Sequence, residues 1–258
     1  MIITADYHTH TTYSHGKGSI LDNALSAKEK GLKEIGISDH GFSHPAFGLR
    51  KRYVPKMRRE CDEATEKTGV KVLLGIESNI TGTDGSVDLK PDLYGYFDIF
   101  LAGIHKFILY KIRSIFSLFI PNQFNSMFRI KSVPKRLIET NTKTLINTIK
   151  KNPVDAITHI NFCCFSDPVE VAKAAADYGT YIEINSKKVH LSDEEWYKVL
   201  NTGARFIISS DAHLPRRVAN FNLATEMIER INFPLDRIDN IDGRLPKFRF
   251  KEYKEKNL

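Results

Sequence analysis

Seven short apolar segments, separated by stretches of helical character, constrain the fold of this 258-residue chain more than any other feature. Their length and their β-branched and aromatic residues are typical of buried strands. The predicted strands cover residues 2–7, 33–38, 70–76, 97–104, 154–158, 180–184 and 205–210. Near-continuous apolar strands that alternate with helices predict an α/β fold with a mainly parallel sheet. Seven such units favour a barrel over the competing open, doubly wound sheet.

The predicted helices between these strands carry residues that mark helix ends. Ser19 is the predicted N-cap of a helix that stops at Gly31, and the next helix ends at Gly69. A third helix is bounded by Asp167 and Gly179. Ser and Asp side chains accept hydrogen bonds from the first turn, and glycine adopts the left-handed conformation that ends many helices. These signals support the strand and helix alternation.

The composition is that of an ordinary globular protein, with 41% hydrophobic and 27% charged residues. No apolar run approaches the ~20 residues that a membrane-spanning helix requires, and the first residues lack the pattern of a signal peptide. Cys61, Cys163 and Cys164 are odd in number and form no C-x-x-C pattern, which argues against a disulfide scaffold or a thiolate zinc site. We therefore expect one domain over residues 1–258, in a reducing, cytoplasmic setting.

The net charge of +7 is concentrated in one segment, residues 106–136, which contains no Asp or Glu. Its basic residues are Lys106, Lys111, Arg113, Arg129, Lys131, Lys135 and Arg136. Such a local field favours acidic partners, which here means a phosphorylated substrate, nucleic acid or anionic lipid. A solvated basic face is the alternative interpretation.

Side chains that bind metals follow six of the seven predicted strands. In chain order they are His8, His10 and His15, then Asp39 and His40, then Glu77, His105, His159, and finally Asp211 and His213. The sixth strand ends at Glu183 and Asn185 without a histidine, and only His44 and His190 lie away from strand ends. Because the carboxyl ends of barrel strands form one face, where the active site of such folds lies, we expect these side chains to converge.

The residue types indicate which ions such a face would bind. Imidazole and carboxylate ligands without thiolate suit zinc, manganese or ferrous iron. In the H-x-H of His8 and His10, both side chains point to one face of an extended chain, and Asp211 and His213 repeat that spacing. Nine candidate ligands exceed the need of one tetrahedral ion, so we expect two or three divalent ions that share a bridging carboxylate.

Taken together, the motifs resemble the PHP (polymerase and histidinol phosphatase) superfamily, and most closely its stand-alone phosphoesterases with a trinuclear metal centre. They are, in order, "DYHTHTTYSHG", "GISDHG", "GIESNITGTDGSVD", "LAGIHK", "ITH", "EIN" and "SSDAH", and they span residues 6 to 213. The resemblance implies a distorted seven-stranded (β/α) barrel with the metal site at the carboxyl ends of the strands.

The resemblance also implies how the metal ligands are shared. One ion would be held by His8, His10, Glu77 and Asp211, a second by His15, His40 and His213, and a third by Glu77, His105 and His159. The chain departs from the family pattern after His159, where relatives often have proline and this sequence has "INFCCF". The path of that loop is therefore not predicted.

A second departure is the long spacer between His105 and His159, with extra material at about residues 106–136. Its apolar residues recur at helical intervals at Ile108, Ile112, Ile115 and Phe119. Pro121 is predicted to end this helix, and a second short segment carries Phe124, Phe128 and Ile130. Three interpretations stay open: packing on the barrel, a lid or homo-oligomer contact beside the metals, or a basic amphipathic segment on a membrane surface.

The predicted chemistry is hydrolysis of a phosphate ester by a metal-activated hydroxide. Asp39 is either an orienter of a ligand imidazole or a loop cap. Candidate cations for gripping the anionic substrate are Lys17, Arg50, Arg52, Arg216 and Arg217. His44 and His190 are candidates for proton transfer, with surface placement as the alternative.

A small-molecule phosphomonoesterase is the favoured function, because the chain has the size of one compact domain. Histidinol-phosphate phosphatase is a narrower version, although "SDHG" resembles the general phosphoesterase branch more. A nuclease or polymerase-associated 3'–5' exonuclease is the second class, and it would need a basic track with stacking aromatic residues. A non-catalytic metal-binding module is the third, and the complete ligand set argues against it.

Overall fold

In the computed structural model, which describes residues 1–127 and 133–258, seven parallel strands form one sheet that curls into a nearly closed barrel. The strands are β1 (Ala5–Thr9), β2 (Glu34–His40), β3 (Lys71–Asn79), β4 (Ile99–Gly103), β5 (Ala156–Ile157), β6 (Tyr181–Asn185) and β7 (Phe206–Ser209). They neighbour one another in chain order, as in a barrel and unlike an open doubly wound sheet. The predicted fold is confirmed, and every predicted strand overlaps an observed one.

The first and last strands meet to close the barrel. Thr9 forms a parallel bridge with Ala212, just beyond β7. Farther down, the side-chain amide of Asn240 donates hydrogen bonds to the carbonyls of Ala5 (2.8 Å) and Ile208 (2.7 Å). Its Oδ1 accepts from the backbone N–H of Ile208 at 2.9 Å. One buried side chain thus replaces the ladder hydrogen bonds that the two strand ends lack.

Helices lie between the strands and cover the barrel. They are α1 (Ile20–Glu29), α2 (Val54–Thr68), α3 (Ile112–Ser114), α4 (Ile120–Met127), α5 (Lys135–Lys151), α6 (Pro168–Tyr178), α7 (Asp193–Leu200), α8 (Asn222–Arg230) and α9 (Arg249–Asn257). Ser19 caps α1 and accepts from the backbone N–H of Asp22 at 3.1 Å, as predicted. Gly69 and Gly179 end their helices at positive φ, which glycine adopts without a steric penalty.

Two layers of apolar side chains stabilise this arrangement. The inner cluster comes from five strands, whose residues can meet only inside the barrel: Ala5, Tyr7, Ile99, Leu101, Ala156, Tyr181 and Ile207. The larger outer core lies between the other faces of the strands and the helices. Both faces of the sheet are therefore buried, which explains why the strands read as continuous apolar runs.

The segment after β4 differs from the prediction in one respect. α3, a π-helical turn (Ile115–Phe119) and α4 follow one another directly, so the prediction that Pro121 ends the helix is wrong. The N–H of Ile120 bonds to the carbonyl of Ile115, five residues back, and Pro121 then falls in the first turn of α4. A first-turn residue needs no intrahelical N–H, so proline is tolerated there. Phe128, Arg129, Ile130 and Lys131 lie outside the described residues.

No helix in the described parts of the chain is long and apolar enough to span a membrane. The three cysteines are free thiols, as their number and spacing indicate. The cytoplasmic location stays a prediction.

Candidate metal centre

Strand register carries the ligands of β2 and β3 to the same point. His40 pairs with Glu77, the last of seven parallel pairs that begin with Glu34 and Lys71. Because side chains alternate between faces with period two, His40 shares the inner face with Glu34, six residues earlier. Glu77 likewise shares a face with Leu73, which packs on the inner cluster. Both side chains therefore point into the carboxyl end of the barrel.

An irregularity in the pairing of β1 with β2 brings a side chain of β1 to the same point. Asp6 pairs with Ile35 and Thr9 pairs with Ile37, so three residue steps on β1 match two on β2. One extra residue changes which side chains face inward. It allows Tyr7 to fill the inner cluster while His8, its neighbour, joins the ligands.

Glu77 is the centre of the cluster. Its Oε1 lies 3.0 Å from Nε2 of His105 and 2.7 Å from Nε2 of His159. Its Oε2 lies 2.8 Å from Nδ1 of His40 and 3.4 Å from Nε2 of His8. The Glu77 side chain is fully buried. One carboxylate thus touches imidazoles delivered by four different strands.

A second carboxylate, Asp211, organises the other side. Its Oδ1 lies 3.4 Å from Nε2 of His10 and 3.3 Å from Nδ1 of His213. The ring of His15 stacks on that of His40 at 4.8 Å, and its centroid is 4.2 Å from that of His213. The structure therefore brings together all nine residues predicted as metal ligands.

Three groups of these side chains have ligand atoms close enough to share an ion: His8, His10 and Asp211; His10, His40 and His213; and His40, Glu77 and His105. The first group lies within the set that the family resemblance implies for one ion. The second contains His10 where the resemblance places His15, and the third contains His40 where it places His159. His10 and His40 each belong to two groups, and His15 packs on the rings of the second group.

The imidazole nitrogens and carboxylate oxygens of the cluster are arranged to bind divalent cations rather than to hydrogen-bond with one another. Nδ1 of His8 lies 2.6 Å from Oε1 of Glu183, a carboxylate that can only accept, so this nitrogen is the donor. When His8 is neutral, the form that a metal ligand must have, it directs the lone pair of Nε2 at Nε2 of His10, 3.1 Å away. Oε2 of Glu77 is buried and has no hydrogen-bond partner in the described parts of the chain. Converging lone pairs of this kind are the arrangement that a bound cation satisfies.

The electrostatics agree with that interpretation. Burial lowers the pKa of His8, yet Glu77, Glu183 and Asp211 outweigh it and raise that pKa well above the ordinary value. Burial raises the pKa of Glu77, but the surrounding imidazoles bring it well below the usual range. Burial lowers the pKa of His40 to about 4, which favours the neutral imidazole that metals bind. The carboxylates therefore favour positive charge at the centre.

Glu183 is a contributor that the sequence interpretation left out of the site. Besides holding His8, it accepts at Oε2 from the backbone N–H of His159 (2.8 Å) and from Nδ2 of Asn185 (3.0 Å). It thereby fixes the orientation of His8 and His159, two of the predicted ligands. Its position at the end of β6, among strands that end in histidines, is the sequence signal that could have identified it as part of the site.

Asp39 serves the loop after β1. It accepts from the backbone N–H of Thr11 (2.8 Å), from Oγ1 of Thr11 (2.5 Å) and from Oγ of Ser14 (2.5 Å). These contacts favour the loop-cap interpretation over that of an imidazole orienter. The loop held in this way carries His15.

The backbone at two ligands is unusual. Asp211 has φ of 49° and His159 has φ of 27°, values that non-glycine residues rarely adopt and that cluster at functional sites. Phe162, in the loop where the family pattern predicts proline, packs its ring 4.9 Å from that of His159. Gly103 leaves room for the rings, because a Cβ there would lie 2.9 Å from Cε1 of His159.

A cavity of about 280 Å³ opens onto the cluster. Lys106, Phe107, Phe47 and Phe162 line it beside the imidazoles, and so does His44. Lys187, not predicted, places Nζ 3.2 Å from both Oδ1 of Asp211 and Nδ1 of His213. It follows β6 by two residues, so a loop rather than a strand carries it.

The predicted substrate cations are placed differently. Arg217 lines a neighbouring cavity of about 250 Å³ together with Asp211, His213 and Lys187. The other four are exposed and line neither of these cavities: Lys17, Arg50, Arg52 and Arg216. His190 is partly exposed, packs on Phe162 at 5.2 Å and lines a small cavity with His159.

Comparisons with known proteins agree with this geometry. A family model described as "PHP domain" matches residues 6–188. A probable phosphatase of Caldanaerobacter subterraneus subsp. tengcongensis is 32% identical over 254 residues, covering 92% of this chain and 87% of that protein. One of Thermoanaerobacter sp. is 30% identical over 273 residues, covering 99% and 98%. Histidinol phosphate phosphatase from Lactococcus lactis, solved with zinc, L-histidinol and phosphate, has the same fold, with TM-score 0.60, 13% identity and coverage of 91% and 95%.

Proposed function

Because the chain belongs to the PHP domain family, we propose that it is a metal-dependent phosphatase that hydrolyses small-molecule phosphomonoesters. The observation that carries the proposal is the convergence of nine imidazole and carboxylate side chains, seven of which line one cavity that also holds lysine side chains. Relatives that cover most of the chain are named probable phosphatases, which supports the same reaction class.

The three ligand groups would hold two or three divalent ions, with zinc, manganese and iron(II) all suited to this donor set. When bound, such ions supply Lewis acidity, which lowers the pKa of a water toward ~7 and neutralises charge on the phosphoryl oxygens. Glu77 would bridge neighbouring ions, since its two oxygens face different imidazoles. Glu183 would hold the His8 ring in the tautomer that leaves Nε2 as the ligand.

Lys187 would bind the phosphate. Its side chain is half-exposed at the cavity mouth, and Nζ already contacts two ligands of the centre. An ammonium at that position can donate to non-bridging oxygens of a phosphate seated on the ions. Arg217, in the adjoining cavity with Lys187, is the one predicted arginine close enough to assist.

The rest of the cavity suits a compact, partly apolar leaving group. Phe47 packs 5.1 Å from the ring of His15, and Phe162 packs against His159 on another side. Both phenylalanines are about half-exposed, so their faces are open to a substrate. A volume of about 280 Å³ holds a small molecule and not a length of nucleic acid.

The direct test is turnover by purified protein loaded with manganese or zinc. We expect hydrolysis of p-nitrophenyl phosphate, weaker activity on bis-p-nitrophenyl phosphate and none on single-stranded DNA. Histidinol phosphate belongs in the panel because it tests the narrower assignment. No turnover of any substrate, with bound metal verified by mass spectrometry, would contradict the proposal.

Substitution of two neighbouring lysines extends this test to individual residues. Lys187→Ala is expected to raise KM for p-nitrophenyl phosphate by about tenfold or more, because a charged hydrogen bond to the phosphate is lost. Lys188→Ala, one residue farther and also exposed, is the matched control and should leave KM unchanged. Equal effects of the two substitutions would remove Lys187 from the phosphate site.

A further inference from the structure

We propose that the segment after β4 is a docking surface for an anionic lipid bilayer. The proposal rests on the distribution of its side chains, which is the reverse of that expected for a helix facing water. Ile112, Phe116, Ile120 and Phe124, here named the apolar stripe, recur every four residues and are between 44% and 79% exposed. Phe107 and Leu109 extend the same exposed apolar surface toward β4.

The opposite face of the segment is buried, and much of it is polar. Asn122 and Asn141 exchange side-chain amide hydrogen bonds of 2.9 Å in each direction, and Asn122 also donates to the carbonyl of Leu118. The hydroxyl of Ser114 accepts from the backbone N–H of Thr83 at 3.1 Å. These specific bonds fix which side faces the barrel, so the apolar stripe cannot turn inward without leaving buried amides unpaired.

The segment is also firmly attached at its start. The backbone N–H of Leu109 donates to the carbonyl of Ser43, and that of Lys111 donates to Thr81. Nζ of Lys111 pairs with Asp84 at 2.9 Å. A tethered helix that presents large apolar side chains outward is a built surface and not a frayed end.

Charge identifies the partner. Residues 106–136 carry seven basic and no acidic residues, and in the described part Arg113, Lys135 and Arg136 are exposed. Basic side chains around an apolar helix face are the pattern that binds anionic membrane surfaces. A second copy of the chain would bring two such basic segments together, and their repulsion disfavours it.

Nucleic acid shares the attraction to basic residues, but the apolar residues argue against it. Bases stack on aromatic rings, whereas half of the apolar stripe and Leu109 are aliphatic. Aliphatic side chains gain from entering hydrocarbon and gain nothing from a stacked base. The composition of the stripe therefore favours lipid.

The surface adjoins the metal centre. Phe107 and Lys106 line the cavity above the ligands, and Phe107 is also 65% exposed at the start of the apolar surface. Docking would hold the cavity mouth close to the lipid headgroups. The binding proposal does not depend on the phosphatase proposal, since it can be tested without turnover.

The experiment is co-sedimentation of the full chain with vesicles of phosphatidylcholine alone and of equimolar phosphatidylcholine and phosphatidylglycerol. We expect binding to the anionic vesicles, weakening at high ionic strength. Ile112→Ser/Phe116→Ser should lower the partition coefficient by about tenfold or more, since two large apolar side chains leave the interface. Tyr197→Ser/Leu223→Ser, which removes exposed apolar residues from α7 and α8, is the matched control and should bind like the original chain.

Circular dichroism and thermal melting of both double variants establish that they fold. Lys135→Glu/Arg136→Glu should weaken binding to anionic vesicles only. No binding to anionic vesicles, or equal binding to both compositions, overturns the proposal. A dimer in sedimentation velocity that Ile112→Ser/Phe116→Ser dissolves, without vesicle binding, would assign the surface to a second copy. Binding of a thymidine oligonucleotide without vesicle binding would assign it to nucleic acid.

Discussion

Buried carboxylates stand at both ends of the barrel, but their partners differ. At the amino end, Asp155 precedes β5 and accepts from the backbone N–H groups of Phe100 and Phe250, each at 2.8 Å. At the carboxyl end, Glu77 is surrounded by imidazoles, and its Oε2 has no hydrogen-bond partner among the residues that the structure describes. Asp155 is satisfied by backbone N–H groups and joins β4 to α9. Oε2 of Glu77 instead faces Nδ1 of His40 and Nε2 of His8, where a divalent ion could be held.

The pKa values of the two carboxyls shift in opposite directions. Burial raises the pKa of Asp155 to about 7, since its backbone donors offset only part of the desolvation. Burial acts on Glu77 in the same sense, yet His105 and the other imidazoles bring its pKa well below the ordinary value. Both carboxyls are fully buried, so the kind of partner distinguishes them: backbone N–H groups for Asp155 and imidazoles for Glu77.

The largest effect on metal content and activity is expected from the substitution Glu77→Gln. The amide keeps the size of the side chain but removes the charge that four imidazoles surround, so metal content should fall. We expect activity on p-nitrophenyl phosphate to drop by more than about a hundredfold, because even outer partners of ligands are worth ~10–100-fold. Mass spectrometry and initial rates measure both effects. Glu63→Gln, on the exposed face of α2, is the control, and a Glu77→Gln protein with normal metal content and rate would refute the bridging role.

A smaller effect on metal affinity is expected from substitution of Glu183, which contacts two of the predicted ligands. Glu183→Ala removes the acceptor for Nδ1 of His8 and for the backbone of His159, and it should weaken metal affinity by about 10–100-fold. Glu183→Gln retains an acceptor and should recover part of the loss. Titration against a competing chelator measures the affinity. If alanine and glutamine behave alike, the carboxylate does not position His8.

The smallest effect is expected for Asp155, at the amino end of the barrel. It concerns the pH dependence of the free energy of unfolding. The pKa of Asp155 is about 7 in the folded chain, against an ordinary value of 3.8, so the folded state binds more protons between these values. Its stabilising contribution is therefore complete below about pH 3.8 and is lost as the pH rises to about 7.

Asp155→Asn stays neutral and lacks this dependence. The stability of the original chain relative to this variant should fall by up to ~1.4 kcal/mol per pH unit across that window. Urea unfolding of both proteins from about pH 5 to about pH 8 measures the difference, and the shared metal site cancels in the comparison. A difference that is constant with pH would show that Asp155 does not titrate near neutrality.

The parts of the fold that follow from local rules could be predicted from the sequence. Strand ends of a parallel barrel must meet at one face, so histidines and carboxylates at those ends identified the cluster without any knowledge of distances. Helix caps at Ser19 and Asp167 were likewise visible, because capping depends on neighbouring residues alone.

Features that depend on tertiary contacts were missed. The extra residue in β1 brings His8 inward, and nothing in "ADYHT" signals it. Glu183 and Lys187 acquire their roles only because β7 lies beside β6 and the closed barrel brings His8 of β1 within reach of Glu183. The sequence left open whether the segment after β4 packs on the barrel, because the choice depends on the pairing of Asn122 with Asn141, 19 positions apart.

The amide of Asn240 bonds to Ala5, 235 positions earlier in the chain. The two partners can therefore meet only after Asn240 has been synthesised. His8 lies in the same strand as Ala5, and His10 follows that strand. Because Asp211 and His213 come late in the chain, a nascent polypeptide cannot assemble the complete cluster of predicted ligands before His213 has left the ribosome.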